Sequence, residues 1–270
     1  MYRNQRQKAN RIILTLTITK PKRKEVLTMY SSKGCTEINI EPYEKGVCQT
    51  CGRTLFARNI PFIGEIILEC ECEKQLKQKE YEDVEAAALE RKISNMKYMC
   101  GMMPLNKSMT FDNFVRREGT EKAVEEARLY ANKFSKVKKG LLFIGTTGSG
   151  KTHLACAIGN HLLNEGYDVK FKRAVDLPAD AKRDYNALEP LKKCQLLIID
   201  DLGADTDAQW ISTLWLSIID YRIGYMLPTV ITTNLNEEEM LSRFDKRITD
   251  RIFGNSHKIT ITAKSYRQLK

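Results

Sequence analysis

Leu141-Leu142-Phe143-Ile144-Gly145-Thr146-Thr147-Gly148-Ser149-Gly150-Lys151-Thr152 decides how this chain folds. It is an apolar strand, a glycine-rich turn and the start of a helix predicted from about Gly150 to Leu163. The spacing is G-x-x-x-x-G-K-[ST], in the strand–loop–helix setting that pattern needs. Glycines let backbone N–H groups curl around phosphates, and a helix N-terminus favours negative charge there. Lys151 is expected to reach the β- and γ-phosphates, and the Thr152 hydroxyl to ligate Mg²⁺. The expected nucleotide contacts are Gly145, Thr146, Thr147, Gly148, Ser149, Gly150, Lys151, Thr152 and His153. The alternative is a glycine-rich turn with a chance lysine.

Downstream, Leu196-Leu197-Ile198-Ile199-Asp200-Asp201 is a wholly apolar run ending in two acids, as a strand buried on both faces should be. It is the Walker B pattern. Asp200 is expected to hold Mg²⁺ through its water shell and Asp201 to polarise the attacking water. Pro228–Asn234 is another buried strand, whose terminal Asn234 can orient that water. Strands are also expected at Val169–Phe171 and His257–Thr262, giving a five-stranded α/β sheet. Helices are expected from Thr120, its N-cap, to Phe134, through residues 172 to 193, and over Trp210–Tyr221. Gly166 is the expected C-cap of the phosphate-loop helix, and Asn236 with Glu239 make a capping-box-like start. Arg243, Arg247 and Arg251 recur every four residues and are expected on one helix face. That stripe is either a solvated surface or the source of an arginine for a neighbouring subunit's γ-phosphate.

The amino-terminal third differs in kind. Residues 1–40 carry many Lys and Arg, with an alternating segment at Leu14–Thr19, and are expected to be a mobile basic arm. Cys48-x-x-Cys51 and Cys70-x-Cys72 are separated by eighteen residues. Two thiol pairs across a hairpin-length run present four sulfurs to a tetrahedral Zn²⁺; buried cysteines or a redox pair are the alternatives. From Glu73 to about Met99 the pattern is helical and highly charged. The expected division is arm 1–40, zinc-binding module 41–75, linker helix 76–109 and ATPase domain 110–270.

The formal net charge of +10 in 270 residues suits a polyanionic partner, and nucleic acid is the usual one. No apolar stretch approaches the roughly 18 residues of a membrane span, and no signal peptide is recognisable. The expected location is the cytoplasm, with cysteines as thiols or metal ligands.

With these motifs in hand, residues 110–267 resemble the AAA+ helicase loaders of the DnaC/DnaI family, with IstB-like ATPases as near relatives. The likeness rests on TFDNF, GTTGSGKTHLACAIGN, LLIIDDLG, PTVITTNLN, RITDRI and the terminal SYR. It implies a AAA+ fold without a full C-terminal lid, behind the small cysteine-rich module. It implies Asn234 as sensor I, Arg251 as arginine finger with Arg247 close by, and Arg267 as the sensor II arginine. It further implies ATP/ADP, Mg²⁺ and Zn²⁺ as ligands. The partners implied are a hexameric replicative helicase, single-stranded DNA and further copies of the chain. A transposase-assisting ATPase or a nucleotide-gated DNA-binding adaptor are the other readings.

Overall fold

The structure, a computed structural model, describes residues 13–15, 25–31, 34–60, 64–204 and 209–266. In chain order the strands and helices begin with β1 (Ile13–Thr15), β2 (Glu25–Ser31), β3 (Gly34–Ile40), β4 (Tyr43–Val47), β5 (Thr54–Ile60) and β6 (Gly64–Leu68). Then come α1 (Glu71–Met99), α2 (Pro104–Ser108), α3 (Glu121–Asn132), β7 (Gly140–Gly145), α4 (Lys151–Asn164) and β8 (Val169–Arg173). The chain continues with α5 (Leu177–Arg183), α6 (Glu189–Lys193), β9 (Leu196–Asp200) and α7 (Gln209–Gly224). It closes with β10 (Thr229–Thr233), α8 (Glu237–Arg243), α9 (Lys246–Asn255) and β11 (Ser256–Ile261). The chain divides into two compact units, Met1–Ala86 and Ala87–Lys270.

The first unit holds two antiparallel three-stranded sheets, β1-β2-β3 and β4-β5-β6. Where a mobile arm was expected, β2 and β3 pair as a hairpin from Glu25↔Ile40 to Ser31↔Gly34. Its core among the described residues is thin: Ile40 and Ile60 are buried, with Ile66 packed against them. So small an apolar cluster calls for a covalent or metal staple.

The second unit is built on a five-stranded sheet in the order β11-β7-β10-β9-β8, every neighbouring pair parallel. Both β7 and β9 are buried almost throughout. Their side chains divide by strand alternation between two cores. Leu141, Phe143, Leu196, Ile198 and Val230 join the core beneath α3 and α4, with Val124, Leu154 and Ile158. Leu142, Ile144, Leu197, Ile199 and Ile231 join the opposite core, with Trp215, Ile218 and Ile248. This two-faced burial is why the strands read as continuous apolar runs rather than alternating ones.

The first core also takes in Cys100 and Met102, with Met96 and Met109 against it. The expected linker 76–109 therefore contributes its last residues to the core of the second unit. Gly166 ends α4 as expected. With φ +85° it sends its N–H to the Leu163 carbonyl, and Tyr167 N–H returns to Leu162 O, a Schellman motif. The capping box of Asn236 and Glu239 is likewise present.

Three local expectations are corrected. Thr120 does not cap α3 with its side chain. Its hydroxyl instead donates to Arg117 O and accepts from Arg117 N–H. The segment to Lys193 is not one helix. Asp184, extended at φ −155°, accepts a hydrogen bond from Asn186 N–H and breaks it into α5, a 3₁₀ turn and α6. Arg243 does not share a helix with Arg247 and Arg251. Phe244 and Asp245 leave the helix, and the Asp245 carboxylate caps α9 at Arg247 N–H.

The end of the sheet away from the phosphate loop is tied by Arg222, which is fully buried. Its guanidinium donates to the carbonyls of Leu191, Lys192, Cys194 and Pro228 and to the Thr229 hydroxyl. Among the described residues no carboxylate pairs with it. Carbonyl dipoles at the end of α6 carry the charge, and burial holds its pKa below the usual arginine range.

Candidate nucleotide site and cysteine cluster

Parallel sheets collect their chemistry at the carboxyl ends of the strands, and here β7, β9 and β10 end together. Val230 to Thr233 of β10 pairs with Leu141 to Ile144 of β7, so Asn234 emerges beside the phosphate loop. Thr229 to Ile231 pairs with Leu197 to Ile199, which brings Asp200 and Asp201 to the same rim.

The side chains form two linked networks. The Lys151 ammonium donates to Gly145 O, Thr146 O and Asn234 Oδ1, each at 2.8 Å. Asn234 Nδ2 in turn donates to Asp201 Oδ1. Beside it, the Thr152 hydroxyl donates to Asp200 Oδ1 at 2.7 Å and the Thr232 hydroxyl to the same oxygen at 2.8 Å. Asp201 takes left-handed backbone geometry, φ 58°, with its N–H bonded to Thr232 Oγ1 at 2.9 Å. A non-glycine residue in that region stores strain of order 1–3 kcal/mol, a cost that clusters at functional sites.

Burial dominates the electrostatics. It pushes the Asp200 pKa up, against the lowering effect of the Thr152 and Thr232 hydroxyls. It pushes the Lys151 pKa down, opposed by Asp201 and Asp200. A buried ammonium facing two carboxylates is arranged to receive a further anion with its own counter-cation.

These residues line a cleft of about 530 Å³. Its polar wall includes Thr147, Gly148, Gly150, Lys151, Thr152, Asp200, Asp201 and Asn234; Met103, Leu105, Met109, Phe114 and Val115 supply an apolar one. A cleft with one charged and one apolar wall fits a ligand that carries both phosphate and a flat base. The residues present fit a Mg²⁺-bound triphosphate. Ser149 Oγ is buried inside the loop with no hydrogen-bond partner among the described residues, and Gly148 and Gly150 hold φ +79° and +109°.

His153 also lines the cleft, with its ring edge-on to Phe114 at 5.1 Å. Its Nε2 lies 2.8 Å from Thr110 O and 3.0 Å from Asn113 Oδ1, so it ties the TFDNF segment to the loop helix. Burial lowers its pKa, which favours the neutral ring.

Arg247 and Arg251 are placed elsewhere. Arg247 pairs with Asp245, and Arg251 with Asp220. Arg251 lines a separate cavity of about 200 Å³ with Lys138, Lys139 and Asn255. Arg267 lies outside the described residues. Sequence reading missed Thr232, which orients both acids, and the apolar wall before Val115. The Thr-Thr-Asn strand end was the available signal for Thr232; no spacing marks the wall.

In the first unit, the sulfurs of Cys48, Cys51, Cys70 and Cys72 all lie within 4.8 Å of one another. The Sγ separations are 3.4 Å for Cys48–Cys72, 3.3 Å for Cys51–Cys70 and 3.4 Å for Cys70–Cys72. Tetrahedral zinc at about 2.3 Å per sulfur requires sulfurs about 3.8 Å apart, so a small expansion accommodates the ion. A tight turn presents the first pair: Gly52 N–H donates to Cys48 O and Cys48 N–H to Arg53 O. The first turn of α1 presents Cys72, and the backbone N–H of Cys72 helps hold the Cys70 thiol down at about 7.

Among the described residues no helix is long and apolar enough to cross a membrane.

Comparison with known proteins agrees with this geometry. The family model of IstB-like ATP binding proteins matches residues 76–270. The replicative helicase loader DnaC of Escherichia coli K12 is 33% identical over 205 residues, 70% of this chain and 84% of DnaC. DnaC of Buchnera aphidicola (Acyrthosiphon pisum) is 31% identical over 179 residues, 62% of this chain and 73% of its own. Among solved structures, a DnaC helicase loader superposes with TM-score 0.54 and 25% identity over 59% of this chain and all of that one. A DnaI structure gives TM-score 0.54 and 25% identity over 61% and 93%. The matched residues are those that build the sheet, the loop and the acid pair, and on that ground the chain belongs to the IstB-like ATP-binding proteins as a DnaC-like AAA+ member.

Proposed function

We propose that the chain is an ATP-dependent loader that delivers a hexameric replicative helicase onto single-stranded DNA. The observation that carries this is the Lys151–Asn234–Asp201 and Thr152–Asp200–Thr232 network, set in a sheet similar to that of a DnaC helicase loader.

In this reading the loop amides and Lys151 bind the triphosphate, and Thr152 with Asp200 would hold Mg²⁺. The ion supplies neutralisation of phosphate charge. Asp201 accepts a proton from the attacking water while Asn234, bonded to both Lys151 and Asp201, keeps that water and the terminal phosphate in register. Asp201 stands where many of the AAA+ enzymes it resembles carry Glu, and its shorter side chain suits slow, switch-like hydrolysis. ATP holds the assembly that cradles the helicase ring, and hydrolysis releases it.

The test is a loading assay on protein-coated single-stranded circles with the helicase from the same cell. ATP-dependent unwinding that requires this chain supports the reading. No stimulation of the helicase, with capture of a transposase instead, would move the chain to a transposase-assisting role.

The cysteine cluster is proposed to hold a structural Zn²⁺ that staples the small β4-β5-β6 module. Purified protein should carry one zinc per chain, and Cys48→Ser should lose it together with the ordered near-ultraviolet signal of the module. Metal-free protein with an unchanged fold would contradict the structural zinc. This staple is worth many kcal/mol where it forms, since structural zinc sites of this kind supply about 10 kcal/mol or more of apparent folding energy.

A further inference from the structure

One cation beside the phosphate loop has no part in the network above. Arg117 sits between two of the loop's own carbonyls and the segment that follows β11. Its Nη2 lies 3.4 Å from Gly148 O and 3.2 Å from Ser149 O, and its Nη1 donates to Lys264 O. Tyr266 completes the clasp. Its N–H donates to Gly148 O at 3.0 Å, and its ring lies under the Arg117 guanidinium at 5.3 Å. Packing here is tight: a Cβ on Gly148 would stand 2.2 Å from Ser265 Oγ. Arg117 and Tyr266 both line the 530 Å³ cleft. Among the described residues no carboxylate pairs with Arg117, so its charge is met by carbonyl oxygens and the Tyr266 ring.

The phosphate loop must hold its N–H groups in place, and a trans peptide aims its carbonyl away from its N–H: the Ser149 N–H turns onto Thr146 O at 3.2 Å, so the Gly148 carbonyl faces outward. Arg117 grips that carbonyl and the one after it. A guanidinium is suited to this because its planar fork offers several fixed donors, whereas an ammonium is a single point. We propose that Arg117 is a positioning residue of the nucleotide site: it locks the Gly148 and Ser149 peptides against the Lys264–Tyr266 strap, so that the loop is preorganised for phosphate. The inference rests on the nucleotide-binding reading of the cleft. It gives the strap the task of a lid, closing one wall of the cleft from within the chain.

The experiment titrates the full-length chain with a fluorescent Mg·ATP analogue, with hydrogen exchange followed across residues 145–152 and 264–266. Arg117→Ala is expected to weaken binding about tenfold and to speed exchange in both segments together. Arg117→Lys, which keeps the charge but not the fork, is expected to stay at least threefold weaker than the native chain. Val124→Ala, a core change in α3, serves as a control of similar thermal loss and is expected to keep native affinity. Native affinity in Arg117→Ala, full rescue by Lys, or an equal loss in the Val124 control would each overturn the proposal. Should Arg117→Ala fail to fold, the Lys variant decides alone, and native affinity there is fatal. Lys151→Ala separates the two levels. If it binds nucleotide normally, the reading of the cleft is wrong; if it does not bind while Arg117→Ala does, only the clasp is wrong.

Discussion

Lys151→Ala is expected to lower Mg·ATP affinity by about 100-fold, beyond detection in an ordinary titration. The ammonium makes three hydrogen bonds at 2.8 Å, two to loop carbonyls and one to Asn234, so it braces the loop, and in the proposed reading it would also hold phosphate. Charged hydrogen bonds contribute about 1.5–3 kcal/mol each, and losing about 3 kcal/mol is roughly a 100-fold change. The two cores do not depend on this side chain, so circular dichroism and thermal unfolding should stay near native. Native affinity in the variant would mean that phosphate is not bound at this loop.

Arg251→Ala is expected to behave in the opposite way, keeping nucleotide affinity and losing partner-stimulated hydrolysis by about 10³-fold, the low end for an arginine finger. The geometry restricts how this residue can act. Arg251 pairs with Asp220 and lines the cavity beside Lys138 and Gly140, at the start of β7, whereas the phosphate loop follows the end of that strand. It does not line the cleft of its own chain, so any contact with a γ-phosphate is made in a neighbouring copy. Mixing Arg251→Ala with Lys151→Ala should therefore restore part of the turnover, because an assembly of both contains some intact pairs. Full turnover by Arg251→Ala alone would contradict the role, and failure of the mixture would contradict the shared site.

The central sheet and its loop were legible in the sequence because each strand is buried on both faces. Leu196–Ile199 shows no alternation to misread, and the phosphate-loop spacing carries its own geometry. The pairing of Thr232 with Asp200 was less legible, since it joins positions 32 apart that only strand register brings together. Arg117 is further still from Lys264, 147 positions along the chain, and nothing in its local sequence distinguishes it from Arg116. Errors in the helices have a common cause. Asp184 and Asp245 both turn a carboxylate onto a nearby backbone N–H, which competes with helix continuation and is invisible to a count of apolar spacing. The four-residue recurrence of Arg243, Arg247 and Arg251 was therefore real as spacing and misleading as a shared face.

A magnesium-bound triphosphate held in the cleft, between the amides after Ile144 and the acid at the end of β9, is the central proposal. Calorimetric titration of the native chain with Mg·ATP tests this directly. One site per chain, competed by ADP and weakened when magnesium is withheld, is the predicted result. A titration with no heat, in protein shown to be folded and with no displacement by ADP, would contradict it.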